Sequence, residues 1–264
     1  MDVTSNAAWN PLLRDPTGKR AGKPRECGIT MVIDKGLGLS AFKDLIETAG
    51  PYIDLIKFGF GTSPLYPPEL LQKKIDLATR SQILVMPGGT FLEAAVLHDA
   101  VGDYFAAVKQ LGFTAIEVSD GTIEMDRKTR SGLIQRGCSE GFTVFTEYGK
   151  KLTGATVDAA KLLETVLADI EDGARLVTVE ARESGEGVGI FDENGKCRER
   201  DIETILNMLP DCKRILWEAP KKAQQVHLIR TLGAEVNLGN IFPEDAMSLE
   251  TLRRGLRSDT MLEK

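Results

Sequence analysis

A (β/α)8 TIM barrel, in a single α/β domain, is the fold this chain predicts, and three observations predict it. Eight short apolar runs alternate with helix-like segments, the links from each run into the next helix are short, and every run ends in polar or glycine-rich residues. An open doubly wound sheet shares the local rhythm but gathers its functional ends at one switch point. The runs carry little polar alternation, which suits parallel strands buried on both faces.

The strands are expected over 27–34, 52–60, 82–89, 114–121, 142–149, 174–181, 213–220 and 234–241. Between them, 40–50 carries apolar residues at helical spacing, with Ser40 as its cap and Gly50 as its stop. Pro68 suits the first turn of a helix over 68–81, and residues 90–112 form one long helix or two short ones. Helices follow over 125–141, over 156–173 capped by Thr156, and over 201–210, 221–233 and 247–259. The Asp192-Glu193-Asn194-Gly195 stretch signals a turn, read as a small hairpin inserted after the sixth strand.

At 264 residues the chain matches a single barrel of about 250 residues. Residues 1–22 read as an arm, with Trp9, Leu12 and Leu13 expected to pin it to the barrel over 23–260. The opening residues lack the apolar core of a secretory signal, and no run approaches the roughly 20 residues of a membrane span. A net charge of −6 without a basic block argues against nucleic acid. The four cysteines are scattered, as free thiols in a reducing cytoplasm would be. Both histidines, His98 and His227, fall on expected helices and read as packing or surface residues, so neither a three-histidine zinc site nor a histidine-activated nucleophile is supported.

The strand ends therefore carry the chemistry. They read Asp34-Lys35, Lys57, Gly88-Gly89-Thr90, Glu117 with Asp120, Glu147, Glu180 with Arg182, Glu218, and Asn237 with Asn240. Asp120, Glu147, Glu180 and Glu218 come from consecutive strands and converge at one mouth, where they would repel unless cations answer them. Either Mg²⁺ or the side chains of Lys57, Lys150, Lys151 and Arg182 would do so, and oxygen-only donors favour Mg²⁺ over zinc. Residues 58–64, 87–90 and 237–241 present backbone N–H groups just past a strand, where an anion binds. Loops after the last two barrel strands often bind phosphate, which raises Asn237, Gly239 and Asn240. Arg182 suits a bidentate grip on phosphate or carboxylate, and Ser184 with Gly185 brings backbone donors near.

These residues lie in longer matching segments: YIDLIKFGFGTSP, PGGTFLEAA, LGFTAIEVSDGTIEM, TEYGKK, EARESG with GVGIFDENGK, WEAPKKAQQ, and VNLGNIFPEDAMSLETLRRGLRSDT. Through them the chain resembles the phosphosulfolactate synthase family of coenzyme M biosynthesis. The resemblance implies a cytoplasmic TIM-barrel lyase that adds sulfite to phosphoenolpyruvate with Mg²⁺, giving (2R)-phospho-3-sulfolactate. It implies Glu147 with Lys150 and Lys151 as the catalytic group, Lys150 being the proton donor and Lys151 its reserve. A lysine among fellow cations has a lowered pKa and donates readily. Lys57, Gly88, Gly89, Thr90, Arg182, Ser184, Asn237, Gly239 and Asn240 are then the substrate-binding set, and Asp120, Glu147, Glu180 and Glu218 the pool for the metal. The implied partners are the two small substrates and further copies of the chain, with neither nucleic acid nor a membrane.

Tyr148 departs from the valine common in the family, and 97–105 departs from a Gln-Gly pair, so the resemblance bears on reaction class more than on exact substrates. A barrel lysine beside a glutamate also suits a Schiff-base aldolase. A non-catalytic relative, such as the plant heat-stress homologue of the family, is the other alternative.

Overall fold

The computed structural model describes residues 9–151, 154–209 and 212–261. Eight parallel strands form one sheet in the order β3-β2-β1-β8-β7-β6-β5-β4. They are β1 (Thr30–Asp34), β2 (Leu55–Phe58), β3 (Leu84–Pro87), β4 (Ala115–Val118), β5 (Thr143–Tyr148), β6 (Leu176–Val179), β7 (Ile215–Glu218) and β8 (Asn237–Ile241). The sheet curls until its outer strands meet. No ladder joins β3 to β4; instead the Thr114 N–H donates to Val85 O at 3.2 Å and the Val85 N–H to Thr114 Oγ1 at 2.9 Å. The result is a (β/α)8 barrel with one lightly stitched seam.

The helices are α1 (Pro11–Arg14), α2 (Leu39–Ala49), α3 (Pro68–Arg80), α4 (Gly89–Leu97), α5 (Val101–Leu111), α6 (Arg127–Ser139), α7 (Ala159–Glu171), α8 (Glu199–Met208), α9 (Lys222–Leu232) and α10 (Ala246–Arg253). The 90–112 stretch is two helices, α4 and α5, because Asp99 turns between them with φ 54°. Two expected caps move. Gly38 rather than Ser40 stands before α2, and Asp158 rather than Thr156 caps α7, its carboxylate accepting from the Ala160 and Lys161 N–H groups at 3.1 and 3.2 Å. The expected hairpin closes on a single antiparallel bridge, Phe191 to Cys197, with the Gly195 N–H bonded to Asp192 O. Residues 1–8 of the arm and Pro210 of the expected 201–210 helix lie outside the described residues.

Two apolar layers hold the barrel. The larger lies between sheet and helices; the smaller fills the interior with Ile29, Met31, Leu55, Met86, Ala115, Phe145, Leu176 and Leu216. Strand side chains alternate between faces, so the residue two positions past an interior one also points inward, one layer nearer the carboxyl end. Leu55 is followed so by Lys57, Ala115 by Glu117, Phe145 by Glu147 and Leu216 by Glu218. The apolar plug thus becomes, within one layer, a ring of charge.

The amino end of the barrel is charged as well. Arg253 donates to the carbonyls of Ala234 and Val236 at 2.6 Å and of Ile29 at 3.1 Å, Arg25 pairs with Asp54 at 2.9 Å, and Arg20 with Glu250 at 3.0 Å. The Arg20–Glu250 pair holds the arm, together with Arg254 donating to Arg14 O at 3.3 Å, whereas Trp9, Leu12 and Leu13 are exposed and pin nothing. Among the described residues Cys27, Cys138 and Cys197 are free thiols, and no helix among them is long and apolar enough to cross a membrane.

Candidate active site at the carboxyl mouth

The carboxyl ends of the strands surround a cavity of about 860 Å³, lined among others by Lys57, Gly88, Gly89, Thr90, Glu117, Glu147, Lys151, Glu180, Arg182, Ser184, Glu218 and Asn240. Lys57 stands at its centre. Its ammonium lies 3.0 Å from Glu117 Oε1, 3.3 Å from Glu147 Oε2 and 3.3 Å from Glu218 Oε1, and all four groups are buried. Burial alone would lower the Lys57 pKa, but Glu117, Glu218 and Glu147 outweigh it and hold the ammonium well above the ordinary lysine range.

Lys151 is the second mouth cation. Its Nζ lies 3.1 Å from Glu147 Oε1 and 3.5 Å from Glu180 Oε2, and it donates to Thr90 Oγ1 at 2.9 Å. Burial would lower this ammonium too, yet Glu147 and Glu180 raise it above the usual lysine value. The expected depression by fellow cations is therefore reversed: the groups nearest Lys151 are carboxylates.

The four acids do not titrate alike. Burial pushes Glu117 and Glu218 up despite Lys57, and it pushes Glu180 well up, reinforced by the charges of Glu147 and Glu218. Glu147 goes the other way, to about 2, because Lys151 and Lys57 flank it and overcome its burial. Its Oε1, although close to Lys151, lacks an aligned hydrogen bond, as does the buried Oδ1 of Asn240. Three residues at this rim also hold left-handed backbones without being glycine: Phe60, Arg182 and Asn240, with φ 56°, 62° and 53°. Such strain persists only where surrounding structure enforces it, and it gathers at functional sites. At Arg182 the enforcement is visible: its N–H donates to Glu180 Oε1 at 2.5 Å, and its carbonyl receives Asn240 Nδ2 at 3.5 Å.

Several expected site residues lie elsewhere. Gly149, at φ 128°, bends the chain just ahead of the two lysines, which part to opposite sides, and a β-carbon there would stand 2.9 Å from Glu180 Cβ. Lys150 thereby leaves the mouth. It donates to the carbonyls of Asp120 at 2.8 Å and Ile123 at 3.0 Å and lines a side cavity of about 490 Å³ with Arg130 and Tyr148. Asp120 lies there too, 3.2 Å from Arg130, so it is separated from the proposed metal pool. Asn237 sits at the amino end of β8, accepting from the Ile29 N–H and donating to the carbonyls of Lys213 and Ile215. Gly239 is a packing glycine, since a β-carbon would meet Leu216 at 2.4 Å and Met31 at 2.6 Å.

Conversely, Glu117 joins the ring although only Asp120 of that pair was placed in the pool; period-two alternation from Ala115 marks it. Its Oε2 accepts from the Gly89 N–H at 2.7 Å, an approach that needs glycine because a β-carbon would stand 2.4 Å from Ser119 Oγ. The loop after β6 reaches over the rim, where Lys35 pairs with Glu183 and Lys221 with Glu186. His98 is exposed and His227 half-buried, both on the outer helical layer and away from the cavity.

The profile of the (2R)-phospho-3-sulfolactate synthase (ComA) family matches residues 18–259. The chain belongs to that family. It is 45% identical to the phosphosulfolactate synthase of Methanothermobacter thermautotrophicus, covering 93% of this chain and 95% of that protein. With the phosphosulfolactate synthase of Bacillus subtilis it shares 40% identity over 91% of this chain and 95% of that one. Among solved structures it is similar to the YdjI aldolase of Escherichia coli K12, with a TM-score of 0.55 at 10% identity, covering 84% and 78% of the two chains. At that identity the likeness shows the barrel fold alone. Membership in a carbon–sulfur bond-forming synthase family makes the charged mouth its candidate active site.

Proposed function

We propose that this chain adds sulfite to phosphoenolpyruvate, giving (2R)-phospho-3-sulfolactate, with Lys151 as the proton donor. Family membership supports the reaction. The observation that carries the donor is Lys151 Nζ, held in the cavity between Glu147, Glu180 and Thr90. The sulfur lone pair of sulfite forms the bond to C3, and the C2=C3 π pair moves onto C2 and its carboxylate. C2 takes a proton from the Lys151 ammonium, and bisulfite or water returns one to the amine. Sulfite attacks without a general base, in keeping with a mouth to which neither His98 nor His227 contributes. Lys57 and Arg182 hold the anionic groups of the substrates, with Asn240, Ser184 and the Gly88–Thr90 turn as neutral donors around them.

The donor set suits Mg²⁺. Glu117, Glu147, Glu180 and Glu218 face Lys57 and Lys151, so acids outnumber cations at the floor of the cavity. Among the described residues no three His, Cys, Asp or Glu side chains are arranged to hold a metal by themselves. Mg²⁺ needs fewer, since it takes one or two carboxylates and completes its shell with substrate oxygens and water. Glu147, whose buried Oε1 faces Lys151 without an aligned hydrogen bond, and Glu180 beside it would hold the ion. Bound there, it would offset charge developing on the substrate carboxylate.

A Schiff-base aldolase requires an uncharged lysine, and carboxylates hold both mouth lysines charged. The substrates are multiply charged anions, which supports a cytoplasmic location. Self-association through the outer helices is also expected, and sedimentation measures it. The decisive assay mixes the protein with phosphoenolpyruvate, sulfite and Mg²⁺ and follows loss of the enol absorbance. Product with a new carbon–sulfur bond is expected, with turnover lost on chelation. No turnover under either condition sinks the reaction, turnover indifferent to chelator sinks the metal, and a borohydride-trapped adduct on Lys151 with a keto substrate favours the aldolase.

A further inference from the structure

Glu93 lies outside the mouth, on α4, and is 1% exposed. Its carboxylate gathers donors from one short stretch of chain, the loop after β4. Oε1 accepts from Ser119 Oγ and from the Gly121 N–H at 3.2 Å; Oε2 accepts from the Thr122 N–H at 2.7 Å, the Thr122 hydroxyl and the Ile123 N–H at 3.2 Å. A buried carboxylate met by so many converging donors fixes the path of the segment that supplies them.

That segment supports Lys151 in two ways. The Lys151 N–H donates to Gly121 O at 3.1 Å, which ties the backbone. The aliphatic stem lies across Gly121, so that a β-carbon there would stand 3.1 Å from both Lys151 Cγ and Cε. The same loop, through the carbonyls of Asp120 and Ile123, holds Lys150 away from the mouth. One carboxylate therefore shapes the surface that sends Lys151 inward and its neighbour outward.

We propose that Glu93 is a positioning residue for Lys151, acting through residues 119–123 and touching no substrate. The inference rests on Lys151 as the proton donor. A misplacement of about 1 Å at a reacting group costs on the order of 100-fold in rate, and Glu93→Ala is expected to lower kcat by about that factor. KM for both substrates stays within about twofold, because the groups that hold the anions are untouched. Glu93→Gln keeps acceptor capacity toward Thr122 and Ile123 but presents an amide N–H₂ to the Gly121 N–H, so it recovers part of the loss. Gly121→Ala leaves the carboxylate in place and crowds the lysine stem, and it is expected to lower kcat in the same way. The configuration at C2 gives a readout that simple loss of stability would not move: a displaced donor lets water deliver the proton, and the product loses its single hand.

Each variant is measured per folded molecule, with calorimetry giving the folded fraction. Glu93→Gln and Gly121→Ala both at wild-type kcat, or a change confined to KM, overturns the inference. Absence of turnover in the wild-type protein instead removes the reaction. Amide exchange at Lys151 then still tests the support, since it must quicken in Glu93→Gln; unchanged exchange overturns the inference as well.

Discussion

The two ends of this barrel are both charged, and they are built on opposite plans. At the amino end the cations are engaged by backbone, Arg253 by three carbonyls, Arg25 by those of Ala21 and Pro51, Arg20 by Gly28 and Lys23 by Gly50, with Asp54 and Glu250 as added partners of Arg25 and Arg20. At the carboxyl end, the ammonium groups of Lys57 and Lys151 meet side chains only, and those side chains line an open cavity. A buried cation clasped by carbonyls has its geometry fixed by the chain and holds the fold together. One facing a surplus of carboxylates stays charged while its neighbours can be rearranged by a ligand. Charge by itself distinguishes neither plan; the partners do.

The largest test of this contrast is Lys151→Ala. Removing the donor is expected to lower kcat by about 1000-fold, in the middle of the range of roughly 100- to 10,000-fold for one acid–base group. Thermal stability is expected to fall only modestly, because Lys151 is partly exposed although Glu147 and Glu180 lose one of their cations; a loss of stability large enough to account for the loss of turnover would break the contrast. Next comes Arg253→Met, which removes a charged donor from three carbonyls and is expected to cost about 3 kcal/mol in denaturant unfolding. Turnover per folded molecule should be unchanged, and a specific loss of kcat would place function at the wrong end. Lys150→Ala should fall between these, with about a tenfold loss of kcat as the loop it ties slackens. A loss equal to that of Lys151→Ala would return the donor role to Lys150.

The smallest effect is one of pH at the amino end. Burial lowers the Lys23 pKa to about 8 from an ordinary value of 10.5, and the unfolded chain therefore binds the extra proton between those values. Stability contributed at this site accordingly rises as pH climbs from about 8 to 10.5, and the rise should vanish in Lys23→Met. Parallel curves for the two proteins across that window would refute it.

Much of the mouth was legible in the chain because strand ends in a barrel converge by construction. Lys57, Glu147, Glu180, Glu218 and Arg182 all line the cavity as expected. What failed was the assumption that every polar residue past a strand shares the strand's direction. Asp120 lies three residues beyond Glu117, off the inward row, and Arg130 takes it. Lys150 and Lys151 look interchangeable until the carbonyls of Asp120 and Ile123 take the first and the carboxylates of Glu147 and Glu180 the second. Asn237 begins its strand rather than ending it, which only the β7–β8 register reveals, with Leu216 opposite Asn237 and Glu218 opposite Gly239. Glu93 gave a signal of its own, a lone acid in the apolar stretch Phe91–Leu97, but its partners lie 26 to 30 residues along the chain.

The seam between β3 and β4 gives these side chains a second meaning. Where the ladder is missing, hydrogen bonds cross near the mouth instead: the Gly89 N–H to Glu117, five from the loop after β4 to Glu93, and Lys151, from beyond β5, to Thr90. The hoop is thus fastened by its own reactive groups, like a bracelet whose clasp is also its jewel. A substrate that engages Lys151 therefore meets a group that is also bonded, through Thr90, to the margin of the barrel carried by β3.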